Sequence, residues 1–219
     1  MKLLMIAVGI AGSQMLVPSI ASAHEGHAHA VQAQGMADSQ DHGRQAREFN
    51  VAVASGRYER SLQAYTVPDI ALENADSRPV RLRELLAADG PVVLDFMSDR
   101  CNMICPALSK ALTMVPKWVE AGRIKLHLIS VSIDPDRDTP AQLKTYARQY
   151  AAGANWQFLT GAREELETMR RAFDAYHENR LEAKTLILLR PAPGQPWVRI
   201  DGPARAEDLA REFAALVSN

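Results

Sequence analysis

The sequence predicts an α/β domain in which helices pack on a mixed β-sheet. Runs of aliphatic and β-branched residues alternate with segments of helical periodicity, which is the order that builds parallel strands joined by helices. A turn-rich stretch at 191–196 then separates two short strand-like runs, and a last helical pattern follows. The 219 residues are 47% hydrophobic and 23% charged, as in an ordinary globular protein.

The individual elements can be placed along the chain. A polar turn from Glu73 to Pro79 between two extended runs predicts an N-terminal hairpin. Thr139 and Gln142 have the spacing of a capping box, with proline between them at the first helical position. Pro116 is expected to kink or shorten the helix that contains it. The other predicted strands are 91–97, 123–133, 156–159, 185–189 and 197–200, and the predicted helices are 83–88, 106–120, 140–152, 164–177 and 207–217.

The N-terminal residues predict an export signal. A basic start, an apolar run and the small residues Ala21 and Ala23 have the form of a cleaved signal peptide, so we expect residues 1–23 to be removed. An uncleaved anchor is the alternative, but the apolar run is short for a membrane span. Residues 24–57 lack periodicity and predict a flexible arm before a folded domain of residues 58–219. We expect a periplasmic or secreted protein with no membrane span in the mature chain.

The net charge, the length and the cysteine count limit the expected partners and the expected role of the cysteines. The formal net charge is −1 and the pI is near 6.6, so the basic surface of a nucleic-acid binder is not expected. A domain of about 160 residues buries about 70% of its unfolded surface and needs no disulfide to fold. The chain has two cysteines, and we therefore expect them to be functional.

The two cysteines stand in the sequence Cys101-Asn-Met-Ile-Cys105-Pro106, between a predicted buried strand and a predicted helix. The positive end of a helix dipole favours the thiolate form of a cysteine. Residues four apart on a helix rise by about 6 Å, which a disulfide can bridge. Two such thiolates could hold a soft ion such as Cu(I) or close on each other by oxidation. Two inert core cysteines are the alternative; a structural zinc site, which needs about four ligands, is disfavoured.

Two motifs resemble one known family. The run from Asp95 to Pro106 contains C-x3-C-P, and the run from Ser130 to Pro140 contains D-P-x-x-D-T-P; together they resemble the Sco (SenC/PrrC) family. The resemblance extends from about Tyr65 to the end of the chain. It implies a thioredoxin-like fold. It also implies a copper-binding protein that helps to assemble the Cu(A) centre of cytochrome c oxidase, by delivering copper, by reducing the target's cysteines, or both.

The resemblance also implies roles for particular residues. Cys101 and Cys105 would be both the copper ligands and the redox pair that forms the Cys101–Cys105 disulfide, with Cys101 attacking and Cys105 resolving. The family's third ligand, a histidine, falls on Ala183 or within one residue of it, where this chain has no histidine. Two thiolates suffice for Cu(I), whereas Cu(II) prefers added nitrogen ligands, so we expect weaker copper binding, as Cu(I). His177 is a candidate replacement, although an exposed residue at a helix end is the simpler interpretation; Glu182 is a hard oxygen ligand poorly matched to Cu(I).

Histidines in the arm form a second candidate metal site. Cleavage after Ala23 would leave His24 with a free α-amine and an imidazole, which together chelate Cu(II), with His27 and His29 close by. A solvated polar tail that happens to contain histidines is the alternative. His42 is isolated, and we expect it to be solvated.

Three other polar residues have structural interpretations. His127 lies in a predicted strand and is expected to be a satisfied structural histidine. Asp134 and Asp138 could form an acid pair, but turn and helix-start chemistry is the simpler interpretation. In the resembled family this loop lies near the cysteines, so Asp134 could tune them electrostatically.

The sequence therefore predicts a Sco-like copper-binding and thiol-redox protein, a metallochaperone more than an enzyme. Its expected partners are a cytochrome c oxidase subunit or other periplasmic copper and thiol proteins. The alternative is a periplasmic thiol-disulfide oxidoreductase without a copper-delivery role. A regulatory protein that only senses copper or redox state is a third possibility.

Overall fold

The computed structural model describes residues 58–99, 101, 104–115, 125–177 and 185–217. The predicted signal peptide (1–23) and arm (24–57) lie outside these residues, and so do Glu182 and Ala183. Within the described part, no helix has the length and apolar character needed to cross a membrane.

An eight-stranded mixed sheet forms the centre of the domain, in the order β1-β8-β7-β4-β5-β6-β2-β3. The strands β4, β5 and β6 are parallel, and all the other neighbours are antiparallel. The strands are β1 Glu59–Gln63, β2 Ala71–Asn74, β3 Pro79–Arg81, β4 Val92–Met97, β5 His127–Ser132, β6 Trp156–Thr160, β7 Leu186–Arg190 and β8 Trp197–Asp201.

Five helices among the described residues cover the two faces of the sheet. They are α1 Leu82–Leu86, α2 Ile104–Leu112, α3 Pro140–Gln149, α4 Arg163–Ala172 and α5 Ala206–Val217. The helices α2, α3 and α5 share one apolar core, and α1 and α4 share the other. Residues of β4 alternate between these cores, as the period of a strand requires: Val93 and Met97 face the first, Val92 and Leu94 the second. The predicted mixed sheet with flanking helices is confirmed.

Two local predictions are confirmed in detail. The strands β2 and β3 pair as an antiparallel hairpin across the polar turn. At the start of α3, the Gln142 N–H donates to Thr139 Oγ1 at 3.4 Å and the Thr139 N–H donates to Gln142 Oε1 at 3.0 Å, which completes the capping box.

Three helices, α2, α3 and α4, end at least three residues earlier than predicted, and α1 ends two residues earlier. After α3 and α4 the chain leaves the helix at Ala151 (φ 49°) and Asp174 (φ 51°). Both residues adopt the left-handed conformation that usually calls for glycine. The Ala175 N–H then donates to the Arg170 carbonyl at 2.7 Å, which closes the end of α4. The helix α2 ends at Leu112, and Pro116 follows four residues later in the sequence. In a continuing helix a proline ring clashes with the carbonyl group four residues before it, here that of Leu112.

The strand β1 was not predicted as a separate element. Its sequence, Glu-Arg-Ser-Leu-Gln, has no apolar alternation, and Leu62 is 59% exposed. The strand forms because it pairs with β8 from Glu59 to Gln63. Tertiary pairing, which local sequence does not reveal, decides its structure.

Candidate metal centre

Two segments bring the cysteines together beyond the carboxyl end of β4. After β4 ends at Met97, the Cys101 N–H donates to the Ser98 carbonyl at 3.0 Å, which forms a turn. The helix α2 then begins at Ile104, so Cys105 lies in its first turn. The Cys105 N–H donates to Cys101 Sγ at 3.0 Å. Cys101 Sγ thus accepts one of the N–H groups that a helix start leaves without a carbonyl partner.

The two thiols differ in their environment. Both are reduced and half-buried, and Cys105 packs against the core shared by α2, α3 and α5. The pKa of the Cys105 thiol is raised, first by its side-chain hydrogen bond with Cys101 and then by burial. Cys105 therefore holds its proton tightly while it remains hydrogen-bonded to Cys101.

Asp138 lies beneath the turn that carries Cys101. Its side chain is fully buried; Ser132 Oγ donates to one carboxyl oxygen at 2.5 Å, and the Asp99 N–H donates to the other at 3.2 Å. Burial raises the pKa of this carboxyl. Thr139, next to Asp138, caps the helix start as expected, and the Asp138 carboxyl itself bonds to Ser132 and Asp99. Asp134 does form the expected turn, since its carbonyl accepts the Asp138 N–H at 2.9 Å.

Asp95 is a second buried carboxyl near the cysteines, on β4. Ser130 Oγ donates to it at 2.6 Å, and Trp156 Nε1 donates to Ser130 Oγ at 2.9 Å. Burial raises the pKa of Asp95 to about 7, and its charge also acts to raise the pKa of the Cys105 thiol. Asp95 was not among the site residues predicted from the sequence. A lone carboxylate within the apolar run from Pro91 to Met97 was the signal that could have identified it.

The first turns of α2 are held to α3 by a buried hydrogen bond. Ser109, one turn after Cys105, lies with its Oγ 2.8 Å from the hydroxyl oxygen of Tyr146. The Tyr146 ring packs edge-on against Phe158, with 5.9 Å between the ring centroids. These contacts fix the helix that carries Cys105 on the sheet.

A comparison with known protein families identifies the family of this chain. The family model described as SCO1/SenC matches residues 59–217. The chain belongs to the SCO1/SenC family. This agrees with the resemblance seen in the two motifs.

Individual relatives of this SCO1/SenC protein cover parts of its sequence and most of its fold. The SCO1 protein homolog of Bacillus subtilis is 38% identical over 99 residues, which are 44% of this chain and 50% of that protein. The chain spans half or less of the length of the curated relatives that it matches.

Two solved structures have the same fold. BsSco, described as a member of the Sco family of cytochrome c oxidase assembly proteins with a disulfide switch, is 26% identical, with a TM-score of 0.60; the match covers 72% of this chain and 96% of that one. Yeast Sco1 with copper bound is 19% identical, with a TM-score of 0.61, over 72% of this chain and 95% of that one. The thioredoxin-like fold expected for this SCO1/SenC protein is thereby confirmed.

The histidines of the SCO1/SenC chain and the Ala183 position lie partly outside the described residues. His24, His27, His29, His42 and the Ala183 position lie outside the described residues. Among the residues described, no group of three or more His, Cys, Asp or Glu side chains is placed to hold a metal ion.

The two histidines within the described part have different settings. His177 is half-buried and lies five residues beyond the end of α4, so its predicted place at a helix end is wrong. Its carbonyl accepts from Arg170 Nη2 at 3.4 Å, and its role as a ligand stays a prediction. His127 Nε2 lies 3.0 Å from the Asp89 carbonyl oxygen, as expected for a satisfied structural histidine.

Proposed function

We propose that this SCO1/SenC protein binds Cu(I) through Cys101 and Cys105, exchanges dithiol for disulfide at the same two sulfurs, and assists the assembly of a copper centre. The observation that carries the proposal is the contact between the two cysteines: the Cys105 backbone N–H donates to Cys101 Sγ at 3.0 Å, and the two thiols share a side-chain hydrogen bond. The client would be a cytochrome c oxidase subunit or another periplasmic copper or thiol protein. The relatives described as copper-bound and as oxidase assembly proteins support this choice.

The residues at the site fit a soft monovalent ion. Two thiolates are the ligands that Cu(I) prefers, and two are enough to bind it. We place Ala183 where the family's histidine would stand, so the core site of this chain lacks the nitrogen ligand that Cu(II) favours. Copper is cargo here, and the part of the chain that holds it is the turn before α2 together with the first turn of that helix.

The raised pKa of the Cys105 thiol suggests an order for the redox reaction, because a thiol that holds its proton is a poor first nucleophile. The thiolate of Cys101 attacks a client disulfide, forms a mixed disulfide and releases one client thiolate. Cys105 loses its proton and attacks Cys101 Sγ, which yields the Cys101–Cys105 disulfide and releases the second client sulfur as a thiol. Two electrons pass to the client. Because copper and the disulfide use the same sulfurs, oxidation of the pair excludes copper loading.

A metal titration tests the proposal. The reduced mature protein should take up about one Cu(I) at the core, and both thiols should then become unreactive toward an alkylating reagent. The disulfide form serves as the control and should bind no Cu(I) at the core. If both thiols stay fully reactive at saturating Cu(I), the thiolate site does not exist.

A thiol-disulfide oxidoreductase without copper duty is the second candidate. The raised pKa of the Cys105 thiol favours it, because a thiol that holds its proton suits the resolving role and leaves the first attack to Cys101. The same titration separates the two: disulfide exchange with clients but no Cu(I) uptake would select the oxidoreductase.

We further propose that the mature chain begins at His24 and that its arm chelates Cu(II). Deletion of residues 24–42 should lower the Cu(II) capacity of the protein and leave its Cu(I) capacity unchanged. The matched control keeps the arm and replaces His24, His27 and His29 by alanine; it should reproduce the deletion. Equal Cu(II) uptake by the intact and deleted forms would remove any metal role for the arm. Mass measurement of the exported protein checks the cleavage site.

A further inference from the structure

We propose that Asp138 is a positioning residue that holds Cys101 within reach of Cys105 and so stabilises their disulfide. The inference rests on the proposed function, since it concerns the same two sulfurs. It gives a role to the second aspartate of the D-P-x-x-D-T-P motif, which copper binding and disulfide exchange leave unexplained.

The carboxyl of Asp138 joins two segments that are distant in sequence. One oxygen accepts from Ser132 Oγ, at the end of β5, and the other accepts from the Asp99 N–H, 39 residues earlier in the chain. Ser132 Oγ in turn accepts the Asp134 N–H at 3.0 Å. The side chain is completely buried, so these contacts leave it no room to swing away.

The Asp99 N–H belongs to the turn that sets the position of Cys101. That turn runs from Ser98 to Cys101 and is closed by the 3.0 Å bond between their backbone groups. A bond to its second residue fixes the turn against the end of β5. Cys101 then lies where its sulfur accepts the Cys105 N–H. The path from Asp138 to the cysteine pair thus consists of three consecutive hydrogen bonds.

The choice of replacement at Asp138 separates the effect of its hydrogen bonds from the effect of its charge. Asparagine keeps an oxygen for the Asp99 N–H and can offer its amide to Ser132 Oγ, so Asp138→Asn removes the charge and retains both contacts. Asp138→Ala removes both contacts. Asp136→Ala is the matched control, because Asp136 is an exposed aspartate of the same loop that pairs with Arg163.

The experiment equilibrates the full mature protein with mixtures of reduced and oxidised glutathione. One glutathione disulfide accepts two electrons and two protons from the two thiols, which gives the Cys101–Cys105 disulfide and two glutathione thiols. The fraction of disulfide, measured by alkylation and mass, gives the equilibrium constant. We expect Asp138→Ala to lower this constant roughly tenfold, equivalent to about 30 mV. Asp138→Asn should stay within about twofold of the wild type, and Asp136→Ala should not differ from it.

Each other result overturns the inference. A folded Asp138→Ala protein with an unchanged or raised constant would show that the carboxyl does not hold the pair together. Equal shifts in Asp138→Asn and Asp138→Ala would assign the effect to charge. A wild-type protein that forms no disulfide would overturn the redox half of the proposed function as well, whereas the first two results would leave that function intact.

A second pair of variants covers the case in which Asp138→Ala does not fold. Asp99→Pro removes the N–H donor of the same bond while Asp138 stays in place, and proline suits the second position of a turn. Asp99→Ala removes the exposed carboxylate and keeps the N–H. The proline variant should lower the equilibrium constant relative to the alanine variant; equal constants would contradict the proposal.

Discussion

Replacing Cys105 with serine is expected to lower the Cu(I) affinity of the reduced protein by roughly 10³-fold. The loss is large because the two sulfurs act as a chelate: once one thiolate holds the ion, the other is already within reach. A serine hydroxyl has nearly the same size but is a hard ligand that Cu(I) does not favour. Competition with a coloured Cu(I) indicator measures the affinity directly.

The double replacement provides the control for this prediction. If the sulfurs act together, Cys101→Ser alone should cost about as much affinity as Cys105→Ser, and the double variant should lose little more. Such non-additivity is the sign of two groups that form one site. Unchanged Cu(I) affinity in Cys105→Ser, or two independent and additive losses, would rule out a shared thiolate site.

The parts of the fold that could be predicted are those whose signal is local. The polar turn from Glu73 to Pro79 and the capping residues Thr139 and Gln142 act within a few residues, and the structure contains both features as expected. The ends of α3 and α4 were missed because Ala151 and Asp174 adopt a left-handed backbone without being glycine. Their conformation is imposed by the helix-closing hydrogen bonds around them, and no residue type announces it.

The same distinction applies to the candidate site. The spacing of Cys101 and Cys105 after a buried strand is a local pattern, and it indicated a convergent pair. The two buried carboxyls depend on contacts made across the sheet: Asp95 lies opposite Ser130 in the pairing of β4 with β5, and Asp138 reaches back to Asp99. Sequence alone does not say which aspartates of a turn or strand become buried, because the partner lies dozens of residues away.

Replacing Asp95 with asparagine is expected to stabilise the protein above pH 7 and to have little effect near pH 4. The pKa of Asp95 is about 7 in the folded protein, against an ordinary value of 3.8, because the carboxyl is fully buried. Between these values the folded state keeps a proton that the unfolded state has lost, so the free energy of unfolding falls as the pH rises from 4 to 7. Asparagine does not titrate and escapes this loss, which is at most about 4 kcal/mol.

Urea unfolding of the wild type and of Asp95→Asn at pH 5 and pH 8 measures the difference, because all other titrating groups are common to both proteins. Asp208 supplies a control of opposite sign: its pKa is lowered, chiefly by the hydrogen bond from Arg205, so Asp208→Asn should be less stable than the wild type at pH 8.

An Asp95→Asn protein whose stability difference from the wild type is the same at both pH values would show that Asp95 does not titrate in this range. If the difference grows with pH as expected, ionisation of the buried Asp95 carboxyl lowers the free energy of unfolding. The burial of Asp95 near Cys105 then lowers the stability of the fold beside the proposed thiol site.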